Sequence, residues 1–90
     1  MLKTKEGFLL RKLGKEYMVV AIGEASKEFN GMIRMNETSA FYWNELKNGI
    51  EFDTLVDKML ERFNGLDRET AEADLKEFLD SIAFTIENVW

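Results

Sequence analysis

The sequence is ninety residues long, 46% hydrophobic and 32% charged, which is the composition of one small globular domain rather than a disordered or collagen-like chain. It has no Cys, no His and no Pro, so disulfides, zinc fingers, iron–sulfur ligation, a thiol nucleophile and an imidazole base are excluded. The formal net charge of −5 is uneven, with residues 1–35 at +3 and residues 36–90 at −8, and an acidic chain is a poor ligand for nucleic-acid phosphates.

The start, Met1-Leu2-Lys3-Thr4-Lys5-Glu6, leads into no apolar stretch of signal-peptide length, and no run is long enough to span a membrane. The expected location is the cytoplasm. Two apolar, β-branched runs follow, at about 8–13 and 17–22. Gly14-Lys15 lies between them, a Gly-first pair suited to a type II′ hairpin turn. Gly23 to Phe29 is a polar connection, and Asn30-Gly31 is a turn signal. Met32-Ile33-Arg34-Met35 then makes a short third strand, at about 31–35, lying at a sheet edge.

After Asn36 the hydrophobic period becomes helical. Three helices are predicted, at about 37–48, 53–64 and 67–84, with Asn36, Asp53 and Asp67 as N-caps. Ala40, Trp43 and Leu46 form the stripe of the first, widened by Phe41, with Tyr42 pointing outward or sideways. Leu55, Val56, Met59, Leu60 and Phe63 form that of the second, and Ala71, Leu75, Phe78, Leu79 and Ile82 that of the third. Ile86, Val89 and Trp90 make an apolar tail. The predicted fold is α+β: a three-stranded antiparallel sheet followed by three helices, the material of a winged helix-turn-helix.

Chemistry is thinly represented. The carboxylate pairs Asp53/Asp57, Asp57/Glu61 and Asp74/Glu77 read as solvated helix faces, because no Asp- and Gly-rich loop accompanies them. Thr38-Ser39 has no base beside it and supports a helix start. Phe41-Tyr42-Trp43 cannot form one stacking platform, since consecutive helical residues point about 100° apart. The third helix would make a poor DNA-recognition helix, with Glu69, Glu72, Asp74, Glu77 and Asp80 against Arg68 and Lys76. No catalytic residue, metal or cofactor is expected. The short edge strand is the feature with an evident use, since its unpaired backbone groups can accept an extended peptide or a second copy of the chain.

The segment Met35-Asn36-Glu37-Thr38-Ser39-Ala40-Phe41 resembles the PqqD family, whose pattern is a short strand ending in an aliphatic residue, then Asn-Glu-Thr, a small residue, Ala and an aromatic-bearing helix. Gly49, Leu55-Val56, Asp74-Leu75 and Phe78-Leu79 continue the likeness, which covers about Gly7 to Ile86. Met35 departs from the Leu often found there, a mild change for a flexible apolar side chain. The resemblance implies a RiPP recognition element: a peptide chaperone that binds the leader region of a ribosomally made precursor peptide. The leader would be an added strand against the third strand, beside the third helix. The chaperone would present it to a modifying enzyme, such as a radical S-adenosylmethionine protein. Carried over by position, Met32, Ile33, Arg34 and Met35 supply the edge. Leu75, Phe78, Leu79 and Ile82 are the helix positions from which groove-lining residues come, some of them serving the core. The alternatives are a structural module that pairs with another copy as a homodimer through its edge strand, and a winged-helix nucleic-acid binder.

Overall fold

Glycine at position 14 turns the chain back on itself. Its φ of +63° is open to Gly without strain, and it joins β2 (Phe8–Leu13) to β3 (Glu16–Ala21) through a two-residue loop closed by the pair Leu13↔Glu16. In the computed structural model, which describes residues 1–29 and 31–88, β4 (Met32–Met35) adds antiparallel to β3 with Tyr17 opposite Met35 and Val20 opposite Met32. The sheet order is β2-β3-β4, which leaves β4 at an edge. Three principal helices follow: α2 (Glu37–Lys47), α3 (Phe52–Arg62) and α4 (Arg68–Ser81). The α+β class and the three-stranded antiparallel sheet followed by helices are therefore present as expected.

Local chemistry explains the helix boundaries. The Asn36 side chain accepts the Ser39 amide at 2.8 Å, and the Asp67 side chain accepts that of Thr70 at 2.7 Å. Gly49, at φ +85°, follows the C-cap of α2 and donates its amide to the Leu46 carbonyl at 3.0 Å. The Asp67 carboxyl is held below its ordinary value of 3.8 by the backbone and side-chain hydrogen bonds of Thr70. A carboxyl lowered by folding stabilises the native state at neutral pH, and that contribution disappears as the pH falls through the folded value. Asp67→Asn keeps a cap but cannot titrate. Its melting temperature is expected to fall less steeply than that of the wild type on acidification below pH 4, as followed by circular dichroism.

Two cores divide the interior. Between the helices lie Tyr42, Leu46, Ile50, Leu55, Val56, Met59, Ala71 and Leu75. Between sheet and helices lie Val19, Met35, Trp43 and Ile82, with Ile33, Leu10 and Phe78 packed at the margin. Helix α2 stands between them and buries a face in each. This corrects the expectation for Tyr42, which is only 4% exposed rather than facing outward or sideways. Consecutive helical residues point about 100° apart, so Tyr42 and Trp43 each enter a different core. Phe41 is half-buried instead, edge-on to Phe63 at 6.0 Å and with the Arg62 guanidinium over its ring at 4.9 Å.

Other departures from the sequence reading have identifiable causes. The N-cap of α3 is Glu51, and Asp53 lies in the first turn, where its charge suits the helix dipole. Within the polar connection, Ala25–Glu28 forms a short helix, α1. Helix α4 stops at Ser81 rather than near Phe84. Ile82 leaves the helical conformation to enter the sheet core, and a 3₁₀ turn covers Ala83–Thr85. The buried Thr85 hydroxyl holds that turn by donating to the Ile82 carbonyl at 2.7 Å. Ile86 then opens β5 (Ile86–Asn88), which pairs antiparallel with β1 (Leu2–Thr4). The expected Asn30-Gly31 turn and the tail residues Val89 and Trp90 fall, at Asn30, Val89 and Trp90, outside the described residues. No helix among the described residues is long and apolar enough to cross a membrane.

Candidate functional site: the edge of β4 beside α4

The hydrogen-bonding phase of the sheet can be followed from the hairpin. A two-residue loop makes its closing pair, Leu13↔Glu16, a hydrogen-bonded pair, and such pairs recur at every second residue. The Ile22 amide bonded to the Gly7 carbonyl at 2.7 Å, six residues further along each strand, keeps that phase. Glu16, Met18 and Val20 therefore bond to β2, while Tyr17 and Val19 turn their backbone groups to β4. Their partners there are Met35 and Ile33. The backbone N–H and C=O groups of Met32 and Arg34 are left pointing out of the sheet. Among the described residues no strand lies beyond them.

Side chains alternate independently of that phase. Ile33 and Met35 face the helices, with Ile33 half-buried and Met35 in the core. Met32 and Arg34 face the other side of the sheet. Met32 is 58% exposed, and the exposed Arg34 guanidinium lies 3.8 Å from the Glu16 carboxylate. The predicted helix residues separate in the same way. Phe78 is half-buried and packs against both cores, next to the Ile33 and Met35 cluster. Leu75 has no exposed surface and Ile82 almost none, so both support the groove from beneath. Leu79 lies on the other side of α4, lining a cavity with Leu2, Ile86 and Asn88. Ile33, Met35, Phe78 and Ile82 are thus brought together, Met32 and Arg34 share the strand but turn their side chains to the opposite face, and Leu75 and Leu79 are not at the open surface of the groove.

Two features flank this edge that sequence reasoning missed. Before β4, the Phe29 ring meets Phe84 at 5.1 Å, and Phe84 meets Phe8 at 6.1 Å; Phe84 stays 45% exposed. After β4, the first turn of α2 and the middle of α4 flank an open surface cavity of about 460 Å³ lined by Asn36, Ser39, Tyr42, Asp74, Glu77 and Phe78, among others. Phe84 is hidden in the sequence because the helical pattern predicts a third helix running to about residue 84, with Phe84 outside its stripe. The cavity combines residues more than thirty positions apart, and no local pattern announces it. The groove therefore runs from an apolar aromatic end to an acidic end. Among the described residues no group of three His, Cys, Asp or Glu is arranged to hold a metal.

A small α+β sheet with a free strand edge beside an amphipathic helix is a scaffold suited to accepting an extended chain. By sequence, residues 10–83 match the family described as Coenzyme PQQ synthesis protein D (PqqD), and the chain belongs to that family. A search of curated protein sequences finds no match. Among solved structures, the fold is similar to that of TbiB1 in complex with the TbiA(beta) leader peptide. The TM-score is 0.76 over 98% of each chain, at 19% sequence identity.

Proposed function

We propose that this protein is a peptide chaperone. It binds the leader region of a ribosomally made precursor peptide as an added strand on β4, beside α4, and presents it to a modifying enzyme such as a radical S-adenosylmethionine protein. The observation that carries this reading is the outward pair of backbone donors and acceptors at Met32 and Arg34, set against the half-buried Ile33 and Phe78. Strand addition draws affinity from main-chain hydrogen bonds, and alternate side chains enter the apolar groove for selectivity. Membership in the PqqD family supports the assignment, and so does the fold shared with TbiB1, a protein whose structure contains a leader peptide. The chemistry belongs to the partner enzyme, and the chain contributes recognition.

The test is a titration of isotope-labelled protein with synthetic leaders of short precursor reading frames beside its gene, followed by amide chemical shifts. The expected shifts cluster at residues 31–36 and along α4. Shifts confined to β1, β5 or α3 would refute strand addition at β4.

A further inference from the structure

The cavity at the far end of β4 adds a chemical preference to the proposed groove. Some helix carboxylates are paired, and others, Glu37, Asp53, Glu61, Glu69 and Asp80, have no ion-pair partner among the described residues; Asp74 and Glu77 are set apart because both line this cavity. Asp57 is held by Arg68 at 2.8 Å and Glu45 by Lys58 at 3.0 Å. Asp74 and Glu77 are exposed and have no ion-pair partner among the described residues. They lie three positions apart on α4, on the side that faces the first turn of α2.

A second observation comes from Tyr42. It is 4% exposed, and its hydroxyl has no hydrogen-bond partner among the described residues. The oxygen is not sealed off from solvent either, so it opens onto the cavity that Tyr42 lines. Burial first, and then the negative charge of Asp74, push the phenol above its ordinary value of 10.0, so it stays a neutral donor and acceptor at physiological pH. The body of Tyr42 is buried while its hydroxyl, unpartnered within the described fold, reaches solvent, so a ligand group entering the cavity can take the place of its hydrating water. Thr38, Ser39, Asn36 and Ser81 add polar lining. Two of these are already engaged: Asn36 by the Ser39 amide, and Ser81 by donating to the Phe78 carbonyl.

We infer that this cavity is a subsite for a cationic side chain, Lys or Arg, of the peptide laid along β4, with Asp74 and Glu77 pairing the charge and the Tyr42 oxygen accepting a hydrogen bond from it. Phe78 lines the cavity and offers the alkyl stem of such a side chain an apolar surface. The Phe29–Phe84 cluster at the other end of β4 favours an apolar or aromatic residue, so the groove reads direction as well as composition. This inference rests on the strand-addition reading above.

The experiment is selection of a random dodecapeptide library, displayed on phage, against the wild-type chain and against Asp74→Asn/Glu77→Gln. Both replaced side chains are exposed, so the variant retains the fold. Wild-type selection is expected to enrich Lys or Arg at one fixed spacing from apolar positions. Selection on the variant keeps the apolar positions and loses the basic one. In a synthesised winner, Lys→Gln weakens binding to wild type by about tenfold, the usual scale of a charge-assisted contact, and leaves binding to the variant unchanged. Tyr42→Phe weakens binding of the Lys peptide more than that of the Gln peptide. Winners with no basic position, or a basic preference that persists in the variant, overturn the subsite and leave strand addition standing. Winners that leave the β4 amide shifts unmoved, or no winners at all, overturn both.

Discussion

Arg34→Pro is expected to give a folded protein whose peptide affinity falls at least about tenfold, whereas Ile33→Pro is expected to damage the sheet itself. The two positions are adjacent, and the contrast comes from the phase of the ladder. The Arg34 amide points away from β3, and proline is tolerated in edge strands where the lost N–H faces solvent. What the variant loses is a donor to an added strand, together with room for that strand to approach. Ile33 bonds to Val19, so its replacement removes a ladder hydrogen bond and a side chain of the sheet core. Arg34→Gln controls for charge. Among the described residues the guanidinium pairs only with exposed Glu16, a contact worth about 0–1 kcal/mol, so Gln should bind nearly as the wild type does. Thermal melts establish folding and calorimetric titration establishes affinity. Wild-type affinity in a folded Arg34→Pro protein would remove main-chain pairing from the mechanism. Light scattering belongs beside both, because a homodimer paired through β4 would be dissolved by the same substitution.

The largest stability effect is expected at Trp43. Its side chain is 1% exposed and packs with Val19 from β3, Met35 from β4 and Ile82 from the end of α4. Trp43→Ala removes transfer free energy and leaves a cavity, a loss of about 3–5 kcal/mol, against a total of about 5–15 kcal/mol for small proteins. Urea denaturation gives the value, and a loss below about 1 kcal/mol would contradict this packing. The substitution also loosens both walls of the groove, since Met35 and Ile82 lose their common support. Peptide affinity should therefore fall in conditions where most of the variant is still folded.

What was readable in advance follows interaction range. The Gly14-Lys15 hairpin, the Asn36 and Asp67 caps and the end of α2 at Gly49 depend on residues within a few positions of one another. The edge position of Met32–Met35 follows from a short strand after a hairpin. The pairing of β1 with β5 joins triplets more than eighty residues apart, and three residues are too few for a visible alternation. A single apolar stripe leaves Tyr42 outside it, whereas the helix buries two faces, with Tyr42 in one core and Trp43 in the other. The PqqD-like motif located β4 and α4, but helical periodicity could not tell Leu75, which faces the helical core, from Phe78, which faces the groove. The acidic cavity depends on how α2 and α4 are juxtaposed, which is a tertiary fact.

The β1–β5 pair has an architectural consequence. Leu2 and Asn88 are opposed in the ladder, so the two ends of the described chain leave from one point. The Met1 amino group lies 3.2 Å from the Asn88 side chain and 3.2 Å from Glu51, which fastens that point to the start of α3. Helix α4 separates this clasp from the groove: Leu79 and Asp80 line a cavity with Leu2, while Asp74, Glu77 and Phe78 line the other side. The fold therefore behaves as a bead with a single stem. An attachment made at either end would leave the β4 edge on the far side of α4.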